Sequence, residues 1–294
     1  MKILPVLGLS GLRVVQSTFN KKASAYTDTL DRNLRFGAFF ELAAAVFSLA
    51  YLLFAGTNGF TLTTLICAVI TGCGFATELL TALAALRKAP LVLCTLCSLG
   101  GIIIPAVAGI FFFDEPMTWL QWVGVVLFFV AAVLLSPSTK ADAPVKFGKA
   151  IPILVINFIV NGGLSTMSKY YAVRVENGNA AVFACWSYAV AALVFGALAL
   201  LRRKKAVELN TQPLPKRAYL FGIILGVTCA SIVYLNTVLS RSIPIVILNT
   251  VPNALCIAGS LFIGCWLFKE KFTPIRLIGA AVSVISTTLV ITVL

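Results

Sequence analysis

The chain has 294 residues, of which 60% are hydrophobic and 11% charged, with a mean hydropathy of +1.01; soluble domains carry about 45–50% apolar and about 25% charged residues, so a water-soluble globule is excluded. Histidine is absent, which removes Ser-His-Asp catalysis, histidine metal sites and imidazole proton relays. The net charge of +13, from 23 Lys and Arg against 10 Asp and Glu, then points to loops beside anionic lipid rather than to a nucleic-acid surface.

A helix crosses a bilayer core with about 20 apolar residues, and ten such runs follow one another: 3–21, 36–56, 61–85, 90–113, 117–136, 150–170, 180–201, 217–239, 244–267 and 274–293. The first opens MKILPVLGLSGL, but Arg13 interrupts the apolar region and no small-residue cleavage site follows, so a retained span is expected rather than a signal peptide. The stretches between the runs, such as GTNG, FDEP and SRSIP, are too short for a soluble domain. The eight cysteines all fall in apolar runs and read as small hydrophobes. Cys94 and Cys97 have C-x-x-C spacing but no second pair and no surrounding turn, so helix packing is expected of them. The fold class expected is therefore all-α, a polytopic membrane protein of ten transmembrane helices, with no metal and no cofactor.

The two halves, 1–137 and 150–294, resemble each other. QSTFNKK from Gln16 matches LSTMSKY from Leu164, LRKAPLVL from Leu86 matches LSRSIPIVIL from Leu239, and FFFDEPMTWLQWVGVVL from Phe111 matches CWLFKEKFTPIRLIGAAV from Cys265. The spacing between matches grows where RRKKAVELNTQPLPKR replaces GTNG. Five spans per copy is an odd number, which forces the copies into opposite orientations. With both termini on the non-cytoplasmic side, the cytoplasmic loops collect Lys21, Lys22, Arg32, Arg35, Arg87, Lys88, the Arg202–Lys205 cluster, Lys269 and Lys271, while the outer side keeps Lys2, Lys169, Arg174 and Arg241. Equivalent loops also carry opposite bias: Asp114-Glu115 corresponds to Lys269-Glu270-Lys271, and GTNG to the RRKK loop.

Short A-P-L-V and I-P-I-V openings of the fourth and ninth runs, each followed by an apolar helix, an acidic turn (FDEP, FKEK) and a glycine-bearing last helix (Gly124, Gly279), resemble the drug/metabolite transporter superfamily, EamA type. The resemblance covers essentially the whole chain. It implies two inverted five-helix repeats and a secondary transporter, not an enzyme, that carries small organic solutes across an inner or plasma membrane by alternating access. The pathway it implies lies between the repeats.

Ionisable residues near the bilayer centre are costly, about 2.5–3.5 kcal/mol each on insertion scales, and are functional candidates by default. Arg13 lies mid-way along the first run, with Gln16 on the same face. A guanidinium matches a carboxylate or phosphate bidentately, which suits an anionic or zwitterionic cargo; the alternative is a structural arginine. Glu78, in the third run, is either the proton-coupling group or the counter-ion of Arg13. Coupling otherwise falls to Glu41, for which snorkelling to the cytoplasmic interface is the plainer reading. Asn161 and Asn253 are assigned to a polar cavity, and Asn161 is the approximate repeat-equivalent of Arg13; their i−4 neighbours Asn157 and Asn249 are assigned to helix contacts. Trp186, Tyr188 and Tyr234 supply an aromatic wall or, for the first two, an interface belt. Lys169 reads as an outer-end snorkeller, and Pro105 and Pro252 as breaks in helix bonding at depth.

The expected partners are thus the lipid bilayer, a small-molecule solute such as an amino acid, and protons or a second solute as coupling species, with no nucleic acid; the ten-helix unit is a monomer or a homodimer. The runner-up function is a polytopic membrane enzyme acting on a lipid-linked substrate, which the scattered acids disfavour.

Overall fold

A computed structural model describes residues 3–27, 29–56, 58–86, 101–135, 147–202, 213–268 and 274–291. Ten helices occupy them: α1 (Ile3–Ser24), α2 (Leu30–Ala55), α3 (Leu62–Leu86), α4 (Ile103–Phe112), α5 (Trp119–Leu135), α6 (Phe147–Arg174), α7 (Ala180–Leu201), α8 (Lys216–Leu239), α9 (Ile245–Phe268) and α10 (Pro274–Ile291). No strand occurs among the described residues. Five helices, α2, α3, α6, α7 and α8, are long and apolar enough to cross a membrane.

Helix ends follow capping rather than hydropathy. α2 starts before the apolar run because Thr29 caps it, its hydroxyl accepting the Arg32 N–H at 3.3 Å, and Asp31 sits in the first turn where the dipole favours an acid. Thr118 and Gln121 form a reciprocal box at the start of α5: the Thr118 N–H donates to Gln121 Oε1 at 3.0 Å, and the Gln121 N–H to Thr118 Oγ1 at 3.4 Å. α6 runs on through Lys149, Lys169 and Arg174. Pro105 falls in the first turn of α4, where a missing N–H has no intrahelical acceptor to serve; the part of the expected span before Gly101 lies outside the described residues. Pro252 does lie inside α9. The Asn249 and Asn253 amides beside it donate to the carbonyls of Ile245 (2.9 Å) and Asn249 (2.8 Å) on their own helix. The C-x-x-C pair and the RKAP, RRKK and KEK stretches, apart from Arg202, lie outside the described residues.

The chain divides into two compact units, neither of which is a contiguous half of the sequence. One comprises Met1–Val14, Thr77–Lys169 and Leu239–Leu294; the other comprises Val15–Ala76 and Tyr170–Val238. Each therefore combines helices from both sequence halves.

In the first unit, backbones approach closely where side chains vanish. A Cβ placed on Gly162 of α6 would lie 2.5 Å from the Gly101 carbonyl oxygen and 2.6 Å from Ile104 Cβ, whereas one on Gly163 would meet nothing within 4 Å. Gly162→Ala is accordingly expected to lose about 1–3 kcal/mol by overpacking, and Gly163→Ala to be neutral or to gain up to ~1 kcal/mol of helix propensity. Thermal unfolding in detergent checks the order, and equal midpoints for the two variants would contradict it. The same unit joins α5 to α10 through Ser286 Oγ donating to the Gly124 carbonyl at 2.7 Å, and α10 to α9 through Ser283 Oγ and the Ala254 carbonyl at 2.6 Å. Buried Ile102, Phe128 and Ala254 form one cluster of its core.

In the second unit, α8 packs on α2 at Gly226, where a Cβ would stand 2.8 Å from that of Ala43. Asn179 ties two ends together: its Oδ1 accepts the Ala181 N–H at 2.9 Å to cap α7, and its Nδ2 donates to the Gly56 carbonyl at 2.8 Å beyond α2. Tyr171, fully enclosed, stacks on Phe183 with ring centroids 4.3 Å apart.

Candidate functional site

Arg13 stands at the middle of α1 and Asn161 at the middle of α6, so two positions that the sequence pairs across its halves also hold equivalent places in their helices. Both belong to the first unit, as does Glu78 of α3. Asn161 Nδ2 donates to Glu78 Oε1 at 2.9 Å, and the Arg13 guanidinium acts electrostatically on the same carboxylate. All three side chains are half-buried. Three residues that the sequence picked out separately are thus one charged cluster inside apolar helices. Guanidinium and carboxylate together are close to neutral, which lowers the cost of placing either of them there.

Two further residues hold this cluster. Asn157 Nδ2 donates to the Glu78 main-chain carbonyl at 3.2 Å and to Thr81 Oγ1 at 3.0 Å, and the Thr81 hydroxyl is 2.7 Å from the Thr77 carbonyl and 3.0 Å from that of Glu78. α6 therefore grips the turn of α3 that carries Glu78 from one helix turn below Asn161. The assignment of Asn157 to a helix contact agrees with this geometry, and the contact supports the cluster. Thr81 was missed because a threonine bonded to an i−4 carbonyl is unremarkable in any helix. Asn253 lies in the same unit, half-buried, with its amide turned to its own helix.

The remaining candidates lie in the second unit. Gln16 Nε2 donates to Cys229 Sγ at 3.1 Å. Tyr188 is buried and stacks on Phe75 at 5.2 Å; Tyr234 stacks on Tyr51 at 4.7 Å with the rings parallel to 1°. The Tyr51 hydroxyl is 2.6 Å from Ser231 Oγ. Tyr188, Cys229, Ala44, Ala45 and Ala230 share one buried cluster, against which Tyr51 and Phe75 pack. These tyrosines are paired ring to ring within the unit. Trp186 is instead 41% exposed, tilted against Phe60 at 5.4 Å, as an interface-belt residue would be. Glu41, in the second unit, is 2% exposed, so its side chain is buried rather than snorkelling to the helix end as expected.

Lys169 also departs from the sequence reading. It is 4% exposed and forms an ion pair with Glu115. Its Nζ donates to the carbonyls of Ser240 at 2.6 Å and Ile243 at 3.3 Å. Glu115 Oε2 in turn accepts the Ile245 N–H at 2.8 Å, at the start of α9. Asp114, at φ +53°, turns the chain so that the Glu115 N–H reaches the Gly109 carbonyl at 3.0 Å. One lysine thereby ties α6, the α4–α5 turn and the α8–α9 turn to a single point.

No family model and no curated protein matches the chain. Among 29 solved chains that do match, one, described only as "Crystal structure of protein", aligns over 98% of this chain and 96% of its own at a TM-score of 0.76 and 14% identity. The two share a fold.

Proposed function

We propose that this protein is a secondary transporter that moves small organic metabolites across a cell membrane by alternating access, with Arg13, Glu78 and Asn161 at the cargo site. The observation that carries the reading is that cluster: an arginine, a glutamate and an asparagine from three apolar helices, two of them at helix midpoints. Charged groups deep in an apolar chain are costly, and those that occur characteristically face the bundle interior or a water-filled cavity and mark solute or ion pathways. The resemblance to EamA-type drug/metabolite transporters, the inverted charge bias of equivalent loops, and compact units that mix both sequence halves all favour two inverted five-helix repeats with termini on the outer side.

Purified protein in proteoliposomes, offered a panel of organic acids, amines and uncharged nucleosides with and without a pH gradient, is expected to move at least one member well above protein-free vesicles. Failure on the whole panel would overturn the transporter reading and reopen the membrane-enzyme alternative.

A further inference from the structure

The cluster contains one charge that is fixed and one that is not. A guanidinium stays protonated in any protein environment, while a carboxylate can take up a proton. Among the described residues, Arg13 is the charged group that acts on Glu78, and Asn161 is its side-chain hydrogen-bond donor. The donors of the site are therefore arranged around a carboxylate, that of Glu78 itself.

Charged cargo changes this balance according to its sign. A cation drawn to Glu78 would give the cluster a net positive charge, with no proton to lose. An uncompensated anion on Arg13 would leave the cluster with a net negative charge among apolar helices, which is costly. An anion that arrives together with a proton on Glu78 leaves the sum unchanged.

We propose that the cargo is an organic acid whose carboxylate displaces that of Glu78 from Arg13 while Glu78 accepts one proton, so that acid anion and proton cross together at one to one without net charge. The proton passes from water on the loading side to a Glu78 carboxylate oxygen. It returns to water on the far side when the cargo leaves and Arg13 recaptures Glu78. Asn161 can donate to whichever carboxylate lies on Arg13, and protonated Glu78 becomes a donor to the cargo. Asn157 and Thr81 position the turn throughout. The proposal rests on the transporter reading.

The test uses the full chain in proteoliposomes containing a pH-reporting dye, with gluconate, lactate and glutamate as acid probes, and choline and uridine as cation and neutral probes. In wild type, acid uptake driven by an acidic exterior should acidify the lumen by one proton per acid and be indifferent to an imposed membrane potential. Glu78→Gln mimics the protonated residue, so acid-for-acid exchange should persist. Net uptake should fall about a hundredfold, because the empty carrier would return without the Glu78 negative charge and so with a net positive cluster. Acid transport that carries net charge, or that moves no proton, overturns the proposal and leaves the transporter reading intact. So does transport of choline or uridine alone, or Glu78→Gln with undiminished net uptake. Movement of no probe overturns both. Wild-type stoichiometry and charge movement decide the question even if Glu78→Gln does not reconstitute.

Discussion

Lys169→Met is expected to lower the thermal unfolding midpoint in detergent by roughly 10 °C. The wild-type ammonium meets the Glu115 carboxylate and two carbonyls while shielded from solvent. Replacing it with a thioether of similar length keeps the packing but leaves Glu115 with an uncompensated charge, and removing one partner of a buried pair costs about 3–5 kcal/mol. It also strips the donor from the carbonyls of Ser240 and Ile243 in the α8–α9 turn. The pair as a whole is worth far less than either half, because each ion was desolvated to form it. Lys169→Met combined with Glu115→Gln should therefore recover most of the loss, since glutamine retains an acceptor for the Ile245 N–H. Differential unfolding of the three variants checks this, and a single variant within about 1 °C of wild type would mean that the pair bears no stability.

Arg13→Gln should behave in the opposite way, sparing the fold and removing function. Gln keeps much of the length and a donor, and Glu78 retains its bond from Asn161 and can shed its charge by taking up a proton, so monodisperse elution at wild-type yield is expected. Charge-assisted hydrogen bonds contribute about 1.5–3 kcal/mol each, and a bidentate pair lost to an amide corresponds to about a hundredfold or more in cargo affinity. Uptake should fall to background at concentrations where wild type is half-saturated. Arg13→Lys, which keeps the charge but not the planar fork, should fall between the two. Unchanged uptake kinetics in Arg13→Gln would remove this residue from the cargo site.

Helix positions were legible because lipid demands long apolar runs; α7 occupies 180–201 as expected. Helix ends were not, because a charged residue ends an apolar run without ending a helix, as Arg32 and Arg35 show in α2 and Arg174 in α6. The cluster of Arg13, Glu78 and Asn161 was legible residue by residue, since Arg13 and Glu78 are conspicuous in apolar surroundings. The grip of Asn157 on α3 was not, because its acceptors are a main-chain carbonyl and a common hydroxyl. Lys169 was misread for a related reason: a lysine near a helix end has water within reach unless a distant acid closes over it, and Glu115 comes from another helix pair. The compact units escaped the repeat analysis because similarity along the chain marks duplicated segments, whereas packing depends on which faces meet.

The glycine contacts have a further consequence. Gly162 and Gly226 let one helix backbone rest against another, while residues such as Leu53, Phe54, Leu193 and Leu201 face outward, each at least 72% exposed. In lipid the outward positions need only be apolar, so Leu, Ile, Val and Phe can replace one another there with little penalty. Selection on size acts along narrow inward stripes, and most of the surface is free to drift. Such an architecture preserves its shape over divergence that erases recognisable sequence, and a substitution map of this protein should show tolerance rising and falling once per helical turn.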